Sequence, residues 1–212
     1  PQWQYVGVAV DGTTTSAFSN AWLLKWTEAE SAVNGDPWSE APLAANTTLD
    51  AWAGYSISQP EAATYLTKGS LMRGDHTYTL TRTESTDPDC GFNLLANSYT
   101  APIDITKLTT DNFKNADACI ILYNTGTYAD WESQQGQSGQ NPGQLTVIPV
   151  ATGEATGLPT TIASMQAFFV KATTTGATFT VDYETAVAGA TNKGNQMRAP
   201  RAHEEFNVLK IM

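Results

Sequence analysis

Ile162-Ala163-Ser164-Met165-Gln166-Ala167-Phe168-Phe169-Val170 repeats, without a gap, the pattern of Leu49-Asp50-Ala51-Trp52-Ala53-Gly54-Tyr55-Ser56-Ile57. Each stretch opens on an aliphatic residue and ends on an aromatic followed two places later by a β-branched residue. That ending has the composition of a strand. Moving outward, Trp3-Gln4-Tyr5-Val6-Gly7 matches Phe92-Asn93-Leu94-Leu95-Ala96, and Ala21-Trp22-Leu23-Leu24-Lys25-Trp26 matches Ala118-Cys119-Ile120-Ile121-Leu122-Tyr123. A lone tryptophan follows each of the latter pair, Trp38 in one half and Trp131 in the other. Tyr65 then stands ten residues after Tyr55, and Phe179 eleven after Phe168. Blocks recurring in one order read as a duplication, with halves at about residues 1–85 and 90–187. Strands of one half cannot bury their apolar faces alone, so the halves are expected to pack on a shared core.

Between these blocks the chain is punctuated by Gly, Pro, Asn, Asp and Ser. The apolar runs that remain predict strands at 4–10, 21–26, 54–58, 64–71, 77–83, 92–97, 119–123, 145–150, 167–172 and 177–183, with a turn or two of helix at 27–33 and 104–108. Short strands at this spacing predict an all-β fold, a β-sandwich of jelly-roll-like or immunoglobulin-like form built from two weakly repeated halves. Residues 1–187 form the module. Residues 134–144, rich in Gln, Gly, Ser and Asn, read as a long exposed loop. Residues 188–212 carry Lys193, Arg198, Arg201 and Lys210 against Glu204 and Glu205, together with Gly189, Gly194 and Pro200. They read as a linker and the start of a following domain, Asn207 to Met212 having the look of a strand beginning. At the other end, Pro1-Gln2-Trp3 enters an apolar alternation directly, with no basic or long apolar leader, so a mature form or a fragment is expected.

Composition narrows the function. In 212 residues there are 31 threonines, 16 glycines and 21 aromatics, with charged residues at only 15%. The net charge of −10 is the wrong sign for a duplex-binding protein. Apolar runs are about half a bilayer span, which excludes a transmembrane helix and direct membrane insertion. Few charges, little Lys and much Thr and Asn point to an extracellular or cell-surface protein. Cys90 and Cys119, 29 apart, have no CxxC partner and do not read as a metal site. Either they form one disulfide or they are two small buried apolar residues, which the apolar run around Cys119 favours.

The run Gly91-Phe92-Asn93-Leu94-Leu95-Ala96-Asn97-Ser98-Tyr99-Thr100-Ala101-Pro102-Ile103-Asp104 resembles a motif of large surface proteins of Bacteroidetes, Gly-Trp-Asn-Leu-Val-Gly-Asn-Pro-Tyr-Pro-Ser-x-Ile-Asp. The family tryptophan is Phe92 here, and the proline after the second Asn is Ser98. A tyrosine-bearing strand like 120–123, a segment like 166–171 and a Met-Arg pair like Met197-Arg198 follow in that family. The resemblance implies an exported multidomain protein, of the kind often carried by type IX secretion, whose other domains are the module's first partners. It supplies no catalytic residues.

Signals for chemistry are sparse. No GxSxG, HExxH or Walker pattern occurs, and the two histidines read as a solvated turn residue, His76, and a tail residue, His203. The chain is expected not to be an enzyme and to need no cofactor or metal. A hydrolase would have to draw on Asp87, Asp89, Asp130 or Glu132, and Asp87-Pro88-Asp89 reads as a charged hairpin tip or a partial calcium site. Trp3, Trp22, Trp26, Trp52, Tyr55 and Phe168 sit in the strand templates and are expected in the core. Trp38 and Trp131 lie instead in polar, loop-like contexts beside Asp36 and Asp130. Those four are the candidate ligand-binding residues, two stacking faces with carboxylates to fix sugar hydroxyls. The first expectation is a non-catalytic structural or adhesive module of an exported bacterial surface protein. The alternative is a carbohydrate-binding module of a secreted multidomain protein, its external partner a glycan or a host surface protein.

Overall fold

A computed structural model describes residues 3–61, 63–84, 86–123, 145–150 and 158–187. The expectations for Asp130, Trp131 and Glu132, for the loop 134–144 and for the segment 188–212 lie outside these residues. The described chain is an all-β sandwich of antiparallel sheets with little helix. Its strands are β1 (Gln4–Val6), β2 (Trp22–Lys25), β3 (Tyr55–Ser58), β4 (His76–Leu80), β5 (Phe92–Ala96), β6 (Ile103–Asp104), β7 (Phe113–Lys114), β8 (Cys119–Tyr123), β9 (Leu145–Pro149), β10 (Thr161–Ile162), β11 (Ala167–Lys171) and β12 (Ala177–Val181). The longer of its two α-helices among the described residues, α1 (Glu28–Asn34), ends where Gly35 takes a left-handed conformation and returns its amide to the Ser31 carbonyl.

The sheets run β1-β3-β2, β5-β11-β8-β9 and β4-β12-β7, with β10 and β6 as a small fourth pair. Two of them are assembled in parallel fashion from matched strands. Gln4, Tyr5 and Val6 lie opposite Ile57, Ser56 and Tyr55. Asn93, Leu94 and Leu95 lie opposite Val170, Phe169 and Phe168. Leu24 faces Ser56 as Ile121 faces Phe169. The two sheets then cross-connect reciprocally, Val6 bridging to Gln166 and Ala53 to Leu95. The Gly7 amide donates to the Met165 carbonyl at 2.8 Å, and the Ala96 amide to that of Trp52 at 3.0 Å. At this junction the backbones approach too closely for added side chains: a Cβ on Gly54 would stand 2.9 Å from that of Ala167 and 3.0 Å from the Leu95 carbonyl oxygen.

Side-chain alternation sorts the apolar residues into three clusters. Phe168, Val170, Ile120, Leu122 and Leu95 leave one face of the four-stranded sheet to meet Tyr78, Leu80, Phe113, Phe179 and Val181 of the sheet β4-β12-β7. Their neighbours Leu94, Ile121 and Phe169 leave the other face and meet Tyr5, Trp26 and Trp38. The four-stranded sheet is therefore covered on both sides, which is why 119–123 and 167–170 are nearly continuous apolar runs. The third cluster, Leu23, Tyr55 and Ile57 under Val8, Phe18 and Leu49, covers the remaining face of the first sheet.

Two strand expectations need correction. Residues 64–71 form no strand; only Leu71 bridges, to Val10, and Leu66 is exposed. Residues 7–10 leave β1 and keep only that single bridge. In both places alternation is present but no neighbouring strand offers a ladder. The short strands β6, β7 and β10 escape a periodicity reading because two residues carry no period.

Candidate functional site

The motif Gly91 to Asp104 is a set of backbone locks. Gly91 has φ +86°, and a Cβ there would stand 2.5 Å from the Ala172 carbonyl oxygen. The Asn93 carboxamide accepts from the Thr81 amide at 2.8 Å and donates to the Thr81 and Gly91 carbonyls. Asn97, with no solvent exposure, donates to the carbonyls of Ala101, Ile162 and Ala163 and accepts from the Tyr99 amide. The Ser98 hydroxyl donates to the Ala51 carbonyl, and the Tyr99 hydroxyl to that of Gly74 at 2.7 Å. Asn93, Asn97, Ser98 and Tyr99 each bind buried or partly buried backbone groups, so these side chains are committed to the fold.

Trp38 lies in the joint between the two matched sheets. It bridges to Trp26, its ring meeting that of Trp26 at 5.1 Å and 85° and that of Tyr5 at 5.4 Å. Tyr5 in turn stacks on Tyr123 at 4.4 Å, and Trp26 packs edge-on to Phe169 at 4.8 Å. Burial, with Tyr123 beside it, pushes the Tyr5 phenol up to about 12. Trp38 is half-buried in this aromatic box. Asp36 is exposed, and its carboxylate accepts from the Trp38 amide at 3.0 Å, closing a turn.

The indole that stands free is Trp22, which is 60% exposed and not in the core expected from its strand template. On β2 the buried residue is Leu23, pointing to the opposite face, and Trp22 begins the strand beyond the end of the aromatic box. It borders an open cleft of about 650 Å³ whose walls include Asn20, Ser58, Gln59, Glu61 and Tyr65. Ser58 is the cross-strand partner of Trp22, so both side chains leave the sheet on one face. Ser58 is only 2% exposed, and its hydroxyl has no hydrogen-bond partner among the described residues. Gln59 accepts from the Tyr65 hydroxyl at 2.6 Å, which leaves its amide protons available. The signal that could have found this site is the repeat itself: Trp22 matches Cys119, so packing at this position does not call for a ring.

Other candidates resolve into structural roles. His76 is no solvated turn residue; it opens β4 and stacks on Trp52 at 3.7 Å and 11°. Burial holds its imidazole below the usual histidine range, against the opposing pull of Asp50. Cys90 and Cys119 are both free thiols. The Asp87 carboxylate accepts from the Ser31 hydroxyl at 2.6 Å and the Asp89 amide at 2.8 Å, and the Ser31 bond lowers its pKa. Burial, then the charges of Asp87 and Asp36, raise that of Asp89. Among the described residues no group of three or more His, Cys, Asp and Glu side chains is placed to hold a metal ion, and no helix is long and apolar enough to cross a membrane.

The aromatic joint and the locked motif hold the fold together, and the cleft beside Trp22 is open. Among curated proteins, the minor fimbrium subunit Mfa5 of Porphyromonas gingivalis is 34% identical over 178 residues. This chain resembles part of a fimbrium subunit. The match covers 80% of the chain but 14% of Mfa5, so the chain spans about a seventh of that relative's length. No family model and no solved structure matches the chain.

Proposed function

We propose that the chain is a non-catalytic structural or adhesive module of a fimbria-associated, multidomain surface protein of a Bacteroidetes bacterium. The observation that carries this is the 34% identity to Mfa5 across 80% of the chain. It supports an extracellular, cell-surface location and assembly with other domains or polypeptides. Export by the type IX route goes with this reading through the motif Gly91 to Asp104. Residues 1–187 are one module made of two duplicated halves, supported by the common register of the two matched sheets, and 188–212 lead to a further domain. The box of Tyr5, Trp26, Trp38 and Phe169 suits a load-bearing element, because it ties the two halves by ring packing across a buried joint.

The test is to tag the chain in the bacterium that encodes it, shear the cells and purify the filaments. The tag is expected in the filament fraction, degraded by protease added to intact cells, with cells lacking the gene altered in filament number or length. A tag that stays inside protease-treated cells, or never travels with filaments, overturns the reading.

A further inference from the structure

From the cleft at the end of β2 and β3 we propose a binding site for a neutral saccharide, with the Trp22 indole as the platform for one pyranose ring. This goes beyond the structural role, which needs no ligand. Four observations carry it. Trp22 is 60% exposed, the most exposed tryptophan among the described residues, and its counterpart in the second half is Cys119, so no packing demand accounts for the ring. The cleft beside it, about 650 Å³, lies within the range of roughly 300–1,000 Å³ usual for small-ligand sites. Its polar groups suit hydroxyls: Gln59 has free amide protons, Asn20 and Glu61 supply further donor and acceptor atoms, and Tyr65 holds Gln59 in place. Finally, the Ser58 hydroxyl is buried in the same wall with no hydrogen-bond partner among the described residues. An unsatisfied buried hydroxyl is costly, so this wall holds a polar group whose need the described residues do not meet.

The class of ligand follows from charge. Glu61 is the one acidic side chain among the lining residues, and the chain as a whole carries −10. Sialylated, uronic or sulfated sugars therefore meet repulsion, whereas the C–H face of a neutral pyranose matches an indole face and its hydroxyls match amides. The site is separate from Trp38, whose ring is engaged by Tyr5 and Trp26.

The experiment uses the 212-residue chain on a printed array of neutral oligosaccharides, host-type lacto-series fragments in one block and microbial mannan, β-glucan and chitin fragments in another, with sialylated and sulfated glycans beside them. Binding is expected in a neutral block, and the block identifies a host or a microbial source. The best array ligand is then titrated against the chain and its Trp22→Ala and Trp22→Phe variants. Trp22→Ala should weaken binding about tenfold or more, Trp22→Phe much less, and neither should move the melting temperature, since the ring is exposed. No neutral glycan bound, binding confined to the anionic glycans, or equal affinity in Trp22→Ala would each overturn the proposal. So would a Trp22-dependent self-association seen by analytical ultracentrifugation with no saccharide bound.

Discussion

The Gly91 amide donates a 2.7 Å hydrogen bond to the carboxylate of Glu28, 63 positions earlier in the chain. The same carboxylate, 3% exposed, accepts from the Thr83 amide at 2.8 Å and the Thr83 hydroxyl at 3.0 Å. Ser31, one turn further along α1, binds Asp87, and the Trp26 indole donates to the Phe92 carbonyl at 2.7 Å. One short stretch, residues 26–31, is thus bolted to Thr83, Asp87 and the turn at Gly91 that leads into β5.

Glu28→Ala is expected to cost about 3–5 kcal/mol, because it strands two backbone amides in a buried place and removes charge-assisted bonds. Glu28→Gln should cost about 2 kcal/mol, since its amide turns one pair of donors toward others. Urea midpoints measure both. In hydrogen exchange the Gly91 and Thr83 amides should lose protection in Glu28→Ala ahead of the β5–β11 ladder.

Asn97 makes three donations and one acceptance with no solvent contact. Asn97→Ala should destabilise by about 3 kcal/mol, and Asn97→Asp by at least as much, because a buried carboxylate cannot donate to three carbonyls. Circular dichroism melts of the two variants check this. Equal stability to the parent would mean that water replaces the carboxamide.

Trp38→Ala should cost about 1–3 kcal/mol through lost contact with Tyr5 and Trp26. Asp36→Ala, which loses one exposed turn bond, should cost under about 1 kcal/mol. Neither change should alter binding of any ligand that depends on Trp22. Differential scanning calorimetry with the array ligand present separates these outcomes.

The His76–Trp52 stack makes stability depend on pH. Its imidazole is depressed by burial in the folded state, whereas the unfolded chain titrates near the ordinary value of about 6.5. Below that value the unfolded chain binds the extra proton first. The stack's contribution is therefore complete above about pH 6.5 and is lost as pH falls through the lowered folded value. His76→Phe keeps the ring stack without the titration, so the drop in urea midpoint between pH 7 and pH 5 should be smaller in that variant than in the parent.

Alternation between apolar and polar residues places β2, β3, β5, β8, β11 and β12 to within a few residues. A strand's faces follow from a period of two, and that period is written in neighbouring residues. Which aromatics would be free was not so written. Trp22 and Trp26 sit in one strand template and Trp38 in a polar loop, yet Trp26 is tied to the Phe92 carbonyl, Trp38 leans on Tyr5, and Trp22 meets open solvent. Each outcome is set by residues tens of positions away, brought close by the joint between the sheets. The same holds for His76, which a local reading puts in a turn and the fold lays flat against Trp52. Strand faces are a local property of the chain; exposure at a strand's end depends on what packs beyond it, and only the tertiary arrangement decides that.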